Sequence, residues 1–158
     1  MNIVGITKDG WTVFDRYNSH LHPGVQRILP TALGRINSMG RQFLVEEVVF
    51  DHVIGETVCV PTGSGDQIVY AKRPKRYGLT RFVVGKPAQP CQTVVAILKR
   101  REENDGYVLI TAFIGSKPEP EPWDRNATEK SVKFWNSHAL VWGSEPIIPG
   151  TETEVCPW

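Results

Sequence analysis

Long apolar runs are missing from this 158-residue chain. No stretch approaches the roughly 20 uninterrupted apolar residues that a membrane-spanning helix needs, which argues against such a span. The opening MNIVGITKDGW has no basic region followed by an apolar core, so no signal peptide is expected. Cysteine is scarce. Cys59, Cys91 and Cys156 make an odd number and include no Cys-x-x-Cys pair. That argues against a disulfide framework and against a cysteine zinc site, and a cytoplasmic location with free thiols is the simplest expectation. An excess of one charge is missing too: 18 Lys and Arg against 17 Asp and Glu leave +1. Affinity for a polyanion must therefore come from local clustering. There is no P-loop, no Gly-x-Gly-x-x-Gly, no Gly-x-Ser-x-Gly and no His-Glu-x-x-His. The common nucleotide hydrolases, α/β hydrolases and zincins lose their motif support. No internal repeat or low-complexity tract is visible.

What is present describes a globular chain. Hydrophobic residues make up 41% and charged residues 22%, close to the norm for folded domains. The length suits one domain over residues 1–158. The 12 prolines and 14 glycines keep helices few and turns many.

Three stretches follow from the pattern. In residues 1–42, Ile3-Val4-Gly5-Ile6 and Trp11-Thr12-Val13-Phe14 flank Lys8-Asp9-Gly10, a hairpin signal. Pro23 opens a helix whose Val25, Ile28, Leu29, Leu33 and Ile36 recur at spacings of three and four. Pro30 is expected to kink or split it, and Gly40 to stop it. Residues 43–115 read as consecutive strands: Phe43–Phe50, Glu56–Val60, Gln67–Arg73, Leu79–Val84, Thr93–Leu98 and Tyr107–Ile114. Turns at Thr62–Asp66 and Glu102–Gly106 suggest an antiparallel meander. Residues 116–158 begin with Lys117-Pro118-Glu119-Pro120-Glu121-Pro122-Trp123-Asp124, where alternate prolines forbid a helix or a central strand. Thr128 with Ser131 then starts a short helix, and the proline-bearing tail is expected to be irregular. The expected class is α+β: an N-terminal helical segment packed on a five- to six-stranded, mainly antiparallel sheet, with a Pro-rich segment and a C-terminal helix.

The sharpest chemical feature lies between Ala71 and Lys86. Lys72, Arg73, Lys75, Arg76, Arg81 and Lys86 fall there with no Asp or Glu. Such a cluster attracts phosphates, and arginine binds them through a fork of donors. Tyr70, Tyr77 and Phe82 interleave with it and offer rings for base stacking. A solvated hairpin that blunts a sheet edge is the competing reading. His52 follows an apolar strand, and an imidazole with a pKa near ~6.5 can take and return a proton at neutral pH. Asp51 is expected to be a poor orienting partner, because consecutive strand residues face opposite ways. A structural histidine held by a carbonyl is the alternative. Thr111 places one hydroxyl among apolar neighbours, on the face of Tyr107, Leu109 and Phe113, and could position a phosphate oxygen or serve only as a good strand former. His20 and His22 form a His-x-His pair that no nearby carboxylate or cysteine completes. His138 suits packing or capping at a helix end, and Trp123 and Trp135 suit anchoring of the C-terminal segment on the core. Glu119, Glu121 and Asp124 either face the basic cluster across a cleft or are solvated.

A helix, then an antiparallel sheet, with a histidine, a basic hairpin and the late strand Tyr107-Val108-Leu109-Ile110-Thr111-Ala112-Phe113, resembles the small metal-independent ribonucleases of the barnase, EndoU, colicin D and RelE type. The resemblance spans residues 22–115 in layout, and Thr111 matches the threonine of that strand. It implies a bacterial, toxin-like endoribonuclease with RNA as partner, an inhibitor or immunity protein, and no cofactor or metal. It implies attack of a ribose 2′-oxygen on the adjacent phosphate. His52 would be base or acid, Lys72 and Arg81 would stabilise charge, and Thr111 would position phosphate. Arg73, Lys75, Arg76, Tyr70, Tyr77 and Phe82 would bind substrate. Two other readings stand beside it: a non-catalytic module that binds nucleic acid or protein, and a phage or bacterial assembly protein.

Overall fold

A computed structural model describes residues 3–8, 11–13, 21, 23–102 and 106–158. His20, His22, Asp9-Gly10 and the centre of the Glu102–Gly106 turn lie outside the described residues. In chain order the elements are β1 (Ile3–Lys8), β2 (Trp11–Val13), α1 (Pro23–Gly34), β3 (Phe43–Val49), β4 (Gly55–Thr57), β5 (Cys59–Pro61), β6 (Gln67–Lys72), β7 (Leu79–Val84), β8 (Gln89–Cys91), β9 (Thr93–Arg101), β10 (Gly106–Ile114), α2 (Glu129–Trp135) and β11 (His138–Val141). The class is α+β with mainly antiparallel pairing. No helix among the described residues is long and apolar enough to cross a membrane.

The strands do not form one meander. They sort into a five-stranded sheet in the order β2-β1-β10-β9-β3, a four-stranded sheet in the order β5-β11-β7-β6, and the pair β4-β8. The chain divides accordingly into two compact units, residues 1–56 with 90–117 and residues 57–89 with 118–158.

In the first unit, β3, β9 and β10 are antiparallel neighbours and β1 runs parallel to β10. Helix α1 lays Val25, Leu29, Ala32 and Leu33 against Leu44, Ala96, Leu98, Leu109 and Ala112. Each fully buried leucine of this kind contributes about 1.5–3 kcal/mol. Pro30 does not split the helix, which runs unbroken from Pro23 to Gly34. The ring sits on the exposed side, so the lost backbone bond is at the solvent face while the apolar face stays docked. The strand expected at Glu56–Val60 is two strands instead. At Val58 the chain changes partner: the Val58 carbonyl accepts from Val141 N–H at 2.8 Å, and β5 pairs with β11.

In the second unit, β6 and β7 form an antiparallel hairpin from Gln67↔Val84 to Lys72↔Leu79. β11 enters between β5 and β7, antiparallel to the first and parallel to the second. Ala71, Phe82 and Leu140 pack under Trp135 of α2, and Val60, Val83 and Ala139 form a separate cluster. Thr128 caps α2: its Oγ1 accepts from Lys130 N–H at 3.2 Å, and its own N–H donates to Ser131 Oγ at 3.0 Å. This reciprocal cap compensates for the shortness of the helix.

Candidate nucleic-acid interface

The β6–β7 connection begins as a turn over Arg73-Pro74-Lys75-Arg76, closed by Arg76 N–H donating to the Arg73 carbonyl at 3.3 Å. Proline at the second position and a positive φ of 61° at Lys75 are the marks of a type II turn. Glycine or asparagine is the economical choice at that third position, and a lysine there carries about 1–2 kcal/mol of local strain. The conformation points consecutive side chains outward. Lys75 and Arg76 are exposed, and Tyr77 is 94% exposed.

Support for this tip comes from the Pro-rich segment. The Trp123 ring meets Tyr77 edge-on, with centroids 6.5 Å apart. It lies directly on Gly78, where an added Cβ would collide with the Trp123 Cβ and ring. Below the tip, Arg73 Nη2 donates to Glu121 Oε2 at 2.7 Å and Arg73 Nε donates to Thr80 Oγ1 at 3.0 Å. Thr80, fully buried, donates to Glu121 Oε1. Trp135 Nε1 donates to the Glu119 carbonyl at 2.9 Å. The segment is thus pinned at Glu119, Glu121 and Trp123.

The expected cluster of cations therefore divides by role. Arg73 is neutralised by Glu121, and Lys86 meets Asp66 at 3.3 Å. Arg81 spends Nη1 on Thr62 Oγ1 at 2.8 Å and on the His138 carbonyl at 2.9 Å, tying strands together. Lys72 is half-buried, with its N–H on Thr151 Oγ1 at 3.0 Å. Phe82 is fully buried and meets Trp142 edge-on, so its ring is not open to a base. Tyr70 is also buried and lies edge-on to Trp158. Burial first, then a bond to Cys156, raises the Tyr70 hydroxyl pKa, with Arg81 acting against them. Lys75, Arg76 and Tyr77 are the substrate-binding candidates that face outward.

His52 and Thr111 belong to the first unit, whereas the basic hairpin belongs to the second. Residues 51–52 form a bend, not a strand, so alternation does not separate them. His52 Nδ1 and Asp51 Oδ1 are 2.7 Å apart. The bond to His52 is the first cause holding the Asp51 carboxyl below its ordinary value, followed by the charge of His52. The His52 ring is edge-on to Phe50, whose face carries the Arg35 guanidinium 4.3 Å from its centre. Thr111 does not share a face with Tyr107 and Leu109. A bulge between Leu109 and Thr111 puts Thr111 opposite Ile97, and Ala112 takes the core position. Ile97 registers with Val45. Two strand spacings of about 4.8 Å, plus the run from Val45 past the end of β3, separate Thr111 from His52. One phosphate cannot touch both.

His138 stacks on Phe134 with centroids 4.1 Å apart, its Nδ1 within 3.1 Å of the Phe134 carbonyl. That is a packing role. Among the described residues no three His, Cys, Asp or Glu side chains cluster as a metal would require. Glu121 and Trp123 gain their importance from the fold. The sequence signal for Glu121 was an acidic residue in a rigid segment while the basic run lacked any carboxylate of its own. Gly78 carried no signal, because its need is a close approach from a distant part of the chain. No family model matches the chain, and no curated protein or solved structure shows significant similarity to it.

Proposed function

We propose that this protein is a nucleic-acid-binding module that holds RNA at the β6–β7 turn. One observation carries the reading: Lys75, Arg76 and Tyr77 are consecutive, exposed and set on a turn of defined shape. Two cations and a ring in sequence match a phosphate backbone with its bases. Arg73, Arg81 and Lys86 are spent on Glu121, on Thr62 with the His138 carbonyl, and on Asp66, so the contact is small and the affinity modest and salt-sensitive. The test is fluorescence anisotropy with a labelled oligouridylate over a range of salt. Lys75→Asn keeps a residue suited to positive φ, and Arg76→Gln keeps the side-chain length. Each is expected to lower the log–log salt slope by about 0.7, the value for one phosphate contact on a single strand. Absence of saturable binding at low salt, or slopes unmoved by both changes, would overturn the reading.

A second reading, metal-independent RNA cleavage, draws its support from Asp51 and His52. A carboxylate 2.7 Å from Nδ1 orients an imidazole for acid–base work through its other nitrogen. His52→Ala is expected to abolish cleavage of mixed RNA in the presence of a chelator. Equal cleavage by the variant, or none by the parent protein, rejects it.

A further inference from the structure

We infer that the ligand at the β6–β7 turn is an unpaired nucleotide, its base stacked on Tyr77 and its phosphate on Arg76, with Trp123 as the positioning residue beneath. This rests on the RNA-binding reading and deepens it to a class of ligand.

The argument begins with the ring. A tyrosine at the tip of a turn exposes nearly its whole surface, 94%, although burial of such a ring is favourable. A single exposed ring is ordinary on protein surfaces. Here, however, a second ring and an arginine stand beside it. Trp123 presents a ring at an interplanar angle of 70° to Tyr77 with centroids 6.5 Å apart, and at 94% exposure Tyr77 keeps its ring surface open to a base. Trp123 can sit there because Gly78 has no Cβ. Its own N–H is buried without a hydrogen-bond partner among the described residues, so shape, not polar bonding, holds the ring. The neighbouring Arg76 has one donor, Nη1, on the Pro74 carbonyl at 3.4 Å, which orients the fork of a five-donor guanidinium. Lys75 is held at a φ of 61°, and sparsely populated backbone of this kind gathers where ligands are held.

A duplex offers phosphates but hides the faces of its bases. An exposed ring adds nothing to a duplex contact and a great deal to a single strand, where each base has a free face. A sulfated polysaccharide offers anions and no base at all. The three ligands therefore separate charge from stacking.

The experiment measures binding of oligouridylate, a duplex RNA of equal charge and heparin to the full chain and to four variants. Tyr77→Ala is expected to lose about tenfold on oligouridylate, the scale of one base stack, and to keep heparin affinity. Tyr77→Phe retains the ring and the affinity. Trp123→Ala loses about threefold on oligouridylate, the worth of an edge-to-face pair, with an unchanged salt slope, and Trp123→Phe restores most of it. Tyr77 is exposed, so an unchanged urea midpoint certifies the fold of its variants. Equal loss on oligouridylate and heparin, no loss with Tyr77→Ala, or duplex bound as tightly as single strand would each overturn the inference while leaving an anion-binding turn. Failure of all three ligands to bind, or tighter binding of heparin than of both RNAs at equal charge, would instead overturn the nucleic-acid reading itself.

Discussion

Arg73 and Glu121 meet 2.7 Å apart with their side chains only 14% and 9% exposed, and Thr80 bonds to both. The pair fastens the Pro-rich segment to the basic hairpin. Two ions this far from water stabilise only if each is satisfied by the other. Glu121→Ala or Arg73→Ala should cost about 3 kcal/mol in urea unfolding, because each strands the partner's charge. Replacing the whole set, Arg73→Met with Thr80→Val and Glu121→Leu, should return to within about 1 kcal/mol of the parent. Additive losses across the set would show that the three residues do not act as one unit.

Much of this arrangement was legible in local pattern. The apolar spacing from Val25 to Leu33, the strand Leu79–Val84 and the Thr128–Ser131 start of α2 are set by neighbours in sequence, and they stand where the pattern puts them, although α1 ends at Gly34, short of Ile36 and of the stop expected at Gly40. What was not legible depends on distant partners. β11 is four residues long and lies between β5 and β7, a position that no local pattern specifies. The split at Val58 follows from that insertion. The Leu109/Thr111 bulge shifts one residue of alternation, which is why Thr111 leaves the face that a strict period of two assigns to it. The basic cluster was read correctly as a concentration of charge in sequence, but its division into structural and outward-facing members depends on Glu121, Asp66 and His138.

The thiols should differ in reactivity. Burial, with the nearby Glu121 charge adding to it, pushes the Cys59 thiol up to about 11. At pH 8 only about one part in a thousand of it is then thiolate, the reactive form. Cys156 is exposed. A disulfide-exchange reagent at pH 8 should therefore label Cys156 in the folded protein and reach Cys59 only on denaturation. Labelling of Cys59 in the native state at the rate of Cys156 would contradict its burial beneath α2.

Acid should loosen the turn before β6 through Asp66. Its Oδ2 accepts from Gly63 N–H at 2.7 Å and faces the Lys86 ammonium. The backbone bond first, and the lysine second, hold this carboxyl below its ordinary 3.8. A lowered folded value means the stabilisation is fully present above about 3.8 and disappears as pH falls through the depressed value. The Asp66 carboxyl resonance followed by NMR should titrate below 3.8, and Asp66→Asn should remove that step from the pH profile of Tm. A midpoint at or above the ordinary value would contradict the Gly63 bond.

The C-terminal tail covers the open edge of β6, and its removal should make that edge adhesive. Tyr70 and Thr153 exchange two backbone hydrogen bonds of 2.7 and 2.8 Å, and Ile148 N–H donates to the Lys72 carbonyl at 2.8 Å. The tail ends in Trp158, edge-on to Tyr70 at 5.3 Å with its Nε1 on Asn136 Oδ1 at 3.0 Å. An uncovered strand edge is a row of unpaired donors and acceptors, which invites pairing with another chain. Deleting residues 148–158 should thus shift light scattering toward larger species than the full chain shows. Trp158→Ala, which keeps the backbone bonds and loses the ring, should lower stability by about 1–2 kcal/mol without that shift. The two outcomes separate the tail's backbone cover of β6 from the packing of its last residue. A truncated chain with the scattering and urea midpoint of the parent would mean that β6 does not need the cover.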